Sequence, residues 1–581
     1  MRIRQRKPPI KPPPKAPDRD LLFLTRGHAL FLLLLPWLIY LVNPNWPFQS
    51  LGHMDAWYYF GYFIHFPKYQ IPLPNYAGER LTWILPGLLL SRLLTAPYGT
   101  LALHLICYYV AVFSVYFVAA RISNRRTALL TSSLLGCHPL FLGANGWTYY
   151  DGAAIAFLSL TLALLAKSVD SGRERWFLVL AGMAWGALVY TFAGWALLSP
   201  VVVLMYIGLV ARNTRELSPR RLADPLFRFA GFMAAGLALT TIGRMVCHRL
   251  IYGNPEHFFF YHNVRAALGI GRLADNPWSS GNYKWILSAS WLVFPMLALV
   301  AGAGTLLRHK RLPEPRRMRA AAVIIAYVYA ALVMAAMTVH EFRMLENDFF
   351  ASILLPLVFL VLAVTVLEVP DSVSGLRFES VVVLSCLVCV LPLAGPGLHR
   401  VMLFAGLAAP RLIGAAGVLK SLRAPRTAAG WSFAVLCLSA ASFGLVPGHP
   451  DMAWTVRYDG LAATKRVAAA VQAIDRRFSA GEYPAFWIDN QHSILTSEYR
   501  SIMCAFTAHE LSMKRYPEVD GSYSPGRRLV LVTETRDVFE SANRRMSAAG
   551  MPLALLSQER ITGDGVSYWL TFVRVLRPQT S

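Results

Sequence analysis

Asp55 stands in the stretch GHMDAWYYFGYFIHF, residues 52–66, a lone carboxylate ahead of a row of aromatics and just beyond the first long apolar segment. Two further acids have similar settings: Glu79 beside Arg80 in YAGERLTW, and Asp151 in NGWTYYDG, ahead of another apolar run. A carboxylate so placed can take the proton of an acceptor hydroxyl while neighbouring cations hold an anionic leaving group. Arg80, His257, His262, Arg265, Lys284, His340 and Arg343 are the cationic or titratable candidates for that second task, and phosphate is the anion they suit. Trp57, Tyr58, Tyr59, Trp147, Tyr149 and Tyr150 could stack on a sugar or sit at the level of lipid headgroups. A divalent metal ion is the one cofactor that these residues leave open, with Asp55 and Asp151 as its candidate ligands beside His53.

Each candidate also has a plainer use. Asp55 precedes an amphipathic aromatic stretch and Asp151 precedes Gly152 and a long apolar run, so either could cap a helix by satisfying its first amide groups. Arg343 lies between two apolar segments, where an arginine commonly snorkels to headgroups. His257 and His262 flank FFFY and could decorate an interfacial helix.

The elements that would position these groups are membrane helices. Of 581 residues 55% are hydrophobic and 15% charged, with a mean hydropathy of +0.43, which excludes an ordinary water-soluble chain. The run LLFLTRGHALFLLLLPWLIYLV is too long for a signal-peptide core and is expected to be a retained anchor. After it come candidate spans at 100–120, 127–144, 152–167, 176–191, 193–211, 226–243, 285–307, 320–339, 349–367, 378–395, 401–419 and 430–446, thirteen with the anchor. The segment LTWILPGLLLSRLLTAP, 81–97, is apolar but short and contains Pro86 and Arg92. The net charge of +24 is spread over short loops, the signature of membrane orientation, and no nucleic-acid partner is expected. The seven cysteines fall mostly in apolar segments, Cys386 and Cys389 three apart in one of them, and without a second such pair for a zinc site they read as small core residues.

Charge decides the sides. With 81–97 not crossing, one set of loops holds 28 Lys and Arg and the other 10. If 81–97 crosses, every later loop changes side and the bias reverses, so the segment is expected to lie in the outer interface or to re-enter. This topology places the basic, Pro-rich residues 1–23 in the cytoplasm. It gathers Asp55, Asp151, the 244–284 loop and the HEFRMLEND loop, 340–348, at the outer mouth of the 24–446 helical region. From about 447 the composition changes: TKRVAAAVQAIDRRF and TRDVFESANRRMSAAG read as helices, PAFWID and RRLVLVTE as buried strands, so 447–581 is expected to be a small extracytoplasmic α/β domain. The sequence has no N-x-S/T sequon, which favours a bacterial plasma (inner) membrane, and no GxxxxGK[ST] phosphate loop. Nucleotide donors are scarce outside a plasma membrane, so an enzyme there would draw an activated group from a lipid such as polyprenyl phosphate.

The order of these features resembles the GT-C membrane glycosyltransferases, in particular the branch of the protein O-mannosyltransferases and the lipid A aminoarabinose transferase. HMDAWYY matches the essential first-loop Asp followed by aromatics, YAGERLTW the start of a juxtamembrane segment, VYFVAARISNRR a span ending in basic residues, and HPLFLGANGWTYYDGAAIAF a second outer acid opening a helix. The resemblance covers roughly residues 24 to 360. It implies a polytopic α-helical fold with juxtamembrane helices in the first outer loop, and transfer of a sugar, with inversion, from a polyprenyl-phosphate donor to a glycan, lipid or protein acceptor. It also implies Asp55 as general base, Asp151 as a second acid near the site or a metal, and Arg343 as a phosphate contact. Phe192 stands where many relatives have Lys, and the tail lacks WWDYG, which argues against the oligosaccharyltransferase branch.

Two other readings compete. A transporter or flippase would also need many spans, but it would carry ionisable groups near the bilayer midplane; 152–166, 176–211, 285–307, 320–339 and 349–367 contain no Lys, Arg, Asp or Glu. A lipid-linked saccharide polymerase would work at the same face, using large outer-loop arginine sites without the early Asp.

Overall fold

The first apolar run forms α1, Arg26–Val42, capped by Thr25, whose side chain accepts from the His28 amide. The computed structural model describes residues 25–44, 46–48, 54–66, 78–210, 219–253, 293–307, 314–338, 348–367, 382–383, 386, 460–479, 485–488, 498, 501–506, 525–533, 535–548, 550–563 and 566–577. After α1, α2 (Met54–His65) and α3 (Leu81–Leu94) precede α4 (Ala96–Ile122). Then follow α5 (Arg125–Cys137), α6 (Pro139–Gly146), α7 (Asp151–Asp170), α8 (Glu174–Val189), the 3-10 turn Ala193–Leu198, α9 (Ser199–Val210) and α10 (Pro219–Tyr252). The bundle continues with α11 (Val293–Leu307), α12 (Glu314–Met337), the short α13 (Asp348–Ala351) and α14 (Leu355–Thr365).

Among the described residues five helical segments are long and apolar enough to cross a membrane: α4, α7, the 3-10 turn with α9, α10 and α12. α5 and α6 pass the same test only when taken together, and they are bent by 60° at Pro139, which has no amide to continue the helical ladder. α1, α11 and α14 are shorter apolar helices at expected spans. The spans expected at 401–419 and 430–446, and almost all of 378–395, lie outside the described residues, so the count of thirteen is not reached by what is described. α14 is apolar all round, and Leu355–Ala363 is buried throughout, as a helix at the centre of a bundle must be. α8 and α10 approach closely through glycine: a Cβ at Gly182 would strike the Met233 carbonyl, and one at Gly236 the Val179 carbonyl.

The two ends of the bundle differ chemically. At one end Arg319 donates to the Arg121 carbonyl (3.0 Å), while Glu174 pairs with Arg228 (3.4 Å) and accepts from the Tyr206 hydroxyl (3.2 Å). These residues flank the loops counted above as basic. At the other end lie α2, Arg80 and the start of α7.

α3 has 14 residues, about 21 Å at 1.5 Å per residue. That is less than the ~30 Å of a hydrocarbon core. The chain reverses at Thr95 (φ 69°, ψ 155°), a conformation that suits glycine and strains a β-branched residue by about 1–3 kcal/mol. Thr95→Gly is therefore expected to raise the stability of the detergent-solubilised protein by about 1 kcal/mol, after the ~0.5–1 kcal/mol of extra chain disorder that glycine brings. An unfolding temperature unchanged or lowered in the variant would contradict that.

Beyond the bundle, α15 (Gly460–Asp475), α16 (Val538–Ala548) and four strands form a compact α/β region: β1 (Ala485–Ile488), β2 (Arg528–Thr533), β3 (Leu553–Gly563) and β4 (Val566–Val575). The sheet order is β1-β2-β4-β3, with β1 parallel to β2 and the other pairs antiparallel. Alternation along the strands gives it two apolar faces: Val530, Val532, Leu570 and Phe572 pack with α15, and Leu529, Leu531, Val573 and Val575 with α16. Both expected helices and both expected strands are present. β3 and β4 were not read from the sequence, although Asp564-Gly565 between two strand-like runs is a hairpin signal. Arg466 of α15 ties the region internally, donating to Glu498 (2.6 and 3.0 Å) and to the Gly563 carbonyl (2.9 Å).

Candidate active site

α2 carries aromatic residues on two sides, and each side is covered by a different layer. Ala56, Tyr59, Tyr62, Phe63 and Phe66 join Trp83, Trp147, Tyr149 and Tyr150 in one cluster at the mouth of the bundle. Trp57 and Phe60 face the other way, into a core with Val467, Val471, Ile502 and Phe506 of the α/β region. The helix is thus held between two layers. Asp55 is its second residue, in the first turn, where the helix dipole favours a carboxylate.

Arg80, one residue before α3, links the elements around the mouth. Its guanidinium donates to the Tyr59 hydroxyl (2.5 Å) and the Tyr149 hydroxyl (3.4 Å), and its Cζ lies 3.8 Å from the centre of the Tyr150 ring. Arg80 and Glu79 are each 3% exposed. Asp151 is also the first residue of its helix and not the cap, which is Tyr150. Its carboxylate accepts from the Trp147 indole N–H (3.1 Å). Gly152 lets the start of α7 close on α6, since a Cβ there would come within 2.9 Å of Asn145. Tyr150 therefore sits between a cation and an acid; burial pushes its phenol well above the ordinary range, with Arg80 opposing and Asp151 adding to the rise. The phenol stays protonated at any physiological pH.

The aromatic layer continues outward from Tyr150. Its ring lies 6.4 Å from that of Phe350, which stacks at 6.2 Å on Phe192, the position where a lysine was looked for. Phe350 belongs to α13, directly after the 340–347 segment, so the chain leaving that loop joins the cluster. His257, His262, Arg265, Lys284, His340 and Arg343 lie outside the described residues. Trp57 is 2% exposed, its ring taken up by packing on Phe60 at 5.0 Å; Tyr58 is partly buried beside it. Among the described residues no group of three or more His, Cys, Asp or Glu could hold a metal ion.

Sequence reasoning missed Arg244 and His248, both buried near this mouth on α10. Arg244 lies 5.0 Å from the Tyr190 ring centre, and Cys247 and Ile251 on the same stretch of helix pack against the tyrosine cluster. The expected span ended at 243, which left both residues in a loop. The signal was a basic residue followed four positions later by a histidine inside an apolar helical pattern, where polar groups are costly and usually functional.

A guanidinium fixed by aromatic rings near two acid-bearing helix starts, at one end of an apolar bundle, is an arrangement suited to an anionic group. Residues 98–219 match the family model described as dolichyl-phosphate-mannose-protein mannosyltransferase, which bears out the resemblance stated above. Over this segment the chain is similar to that family of membrane glycosyltransferases. Similar solved structures include ArnT from Cupriavidus metallidurans bound to undecaprenyl phosphate, at 14% identity and a TM-score of 0.48 over 94% of this chain and 98% of that one. They include also the oligosaccharyltransferase of Archaeoglobus fulgidus in its apo form, at 13% identity and a TM-score of 0.40 over 83% of this chain and 64% of that one. No curated protein matches the sequence.

Proposed function

We propose that this chain transfers a sugar from a polyprenyl-phosphate donor to an acceptor hydroxyl at the extracytoplasmic face of a plasma membrane. Asp55 takes the proton of the acceptor, and Arg80 holds the departing phosphate together with Arg343 and Lys284. Glu79, Tyr150 and Asp151 line the same mouth, with Asp151 keeping the start of α7 in place through Trp147 or serving as a second acid. The 447–581 region lies on the same side as the site. Thirteen spans, a cytoplasmic N-terminus and inversion at the anomeric carbon complete the reading.

The observation that carries it is the caged guanidinium of Arg80, which joins α2, the residues before α3 and the 147–151 turn. Partial desolvation strengthens its hold on a phosphate oxygen, and the rings fix its direction. The family match over 98–219 supports transfer as the chemistry. α3, too short to cross, forms the wall along which a lipid tail enters.

The direct test compares membranes with and without the protein, supplied with undecaprenyl-phosphate-linked sugars and a detergent extract of the cell envelope. Mass spectrometry is expected to find one glycan gaining a sugar, and free undecaprenyl phosphate accumulating, only when the protein is present. If every labelled donor stays intact in both samples while the protein is folded and abundant, the reading fails.

A further inference from the structure

The C-terminal region touches α2 at a place where little tolerance is left. A Cβ built on Gly61 would collide with the Ala505 carbonyl and crowd its Cα. One turn further, the His65 Nε2–H donates to that same carbonyl (2.5 Å), and its ring stacks on Phe506 at 5.0 Å and 19°. Gly61 and His65 are four apart, so they present one face of α2 to one short segment, residues 501–506. Trp57 and Phe60 extend that face into the core around α15, and Lys465 of α15 lies over the Tyr98 ring at 5.5 Å, at the start of α4. Ala505 and Phe506 are themselves buried, so the contact lies inside a core and not on a rim.

We propose that residues 501–506 form a clasp on Gly61 and His65 that sets the position of α2 and, with it, of Asp55. This inference rests on the role given to Asp55 above. α2 is a 12-residue helix, too short to be stable alone, and its place is decided by what it packs against. The bundle covers one side of it. The clasp supplies the other side, with a hydrogen bond and a close backbone contact that allow only one register. His65 and Gly61 are thus positioning residues for transfer, acting through the helix that carries the base, and the C-terminal region is a working part of the enzyme.

The test uses the full chain in nanodiscs, with Gly61→Ala, His65→Ala and His65→Gln. Hydrogen exchange in peptides covering 54–65 and 501–506 reports the clasp without reference to activity; transfer from undecaprenyl-phosphate-linked sugar reports its consequence. His65→Ala is expected to speed exchange in both peptides and to lower kcat by up to ~10²-fold, the cost of a misplacement of about 1 Å, while the donor KM changes less than about twofold. His65→Gln, whose amide keeps a donor for the Ala505 carbonyl, is expected to recover most of kcat. Gly61→Ala repeats the His65→Ala pattern more strongly. Unchanged exchange in both alanine variants overturns the clasp; faster exchange with an unchanged kcat, or a glutamine variant no better than alanine, overturns the positioning role. If the wild type transfers no sugar, the reading under the previous heading fails, and the exchange measurements still decide the clasp.

Discussion

Asp55→Asn is expected to lower sugar transfer by roughly 10²–10⁴-fold, the range that a positioned general base contributes. The substitution keeps size and shape and removes only the ability to accept the proton. Its structural side effect is small, because a first-turn carboxylate gains about 0.3–1 kcal/mol from the helix dipole, and α2 is held by its aromatic faces. Undecaprenyl phosphate binding should therefore remain near the wild-type level while product formation disappears. Turnover retained by the variant at normal protein abundance would remove Asp55 from the mechanism. A parallel loss of binding and of protein would make it a structural residue.

Arg80→Ala is expected to weaken undecaprenyl phosphate binding by roughly 10–100-fold, from the ~1.5–3 kcal/mol of a hydrogen bond to a charged group. Arg80→Lys should fall between the two, since lysine keeps the charge but loses the planar fork that meets Tyr59 and Tyr149 together and the stacking on Tyr150. Thermal unfolding separates this role from plain packing. A variant destabilised in detergent whose affinity for the lipid is unchanged would mean that the guanidinium only cements three tyrosines. Tyr59→Phe offers an independent check: it removes the 2.5 Å partner, leaves the ring, and should weaken lipid binding less than Arg80→Ala does.

Buried guanidinia and their tyrosines are hard to foresee from sequence. Glu79 and Arg80 were visible as an ion-rich pair ahead of an apolar run, and Asp151 as an acid ahead of another, because each breaks a local pattern. That Tyr59, Tyr149 and Tyr150 surround Arg80 depends on bringing together residues 21 and 69 positions apart, for which no local pattern exists. The aromatics following Asp55 were open between sugar stacking and headgroup contact. In the fold, Trp57 turns to the C-terminal region and Tyr59 to Arg80, a division fixed by the helical periodicity of α2 and by two layers that only the fold supplies. Arg244 and His248 escaped notice for a related reason: hydropathy fades before a helix ends, and α10 carries both residues as helix, buried among neighbours, to Tyr252.

The sequence alone determined that this is a polytopic helical chain and that its short-loop charges are asymmetric. Its loop charges led to the expectation that 81–97 does not cross, and it placed the acids of interest where apolar runs begin. Each of these is a local property: hydrophobic length must match a bilayer, and charge is kept out of its core, with Lys and Arg concentrated in the loops of one side. Tertiary structure alone decided which aromatic rings cage Arg80, that the hairpin β3–β4 completes the sheet, and that residues 501–506 close on Gly61 and His65. Those contacts depend on side-chain shape at close range between segments up to 440 residues apart, and close packing between distant segments leaves no periodic trace in the chain.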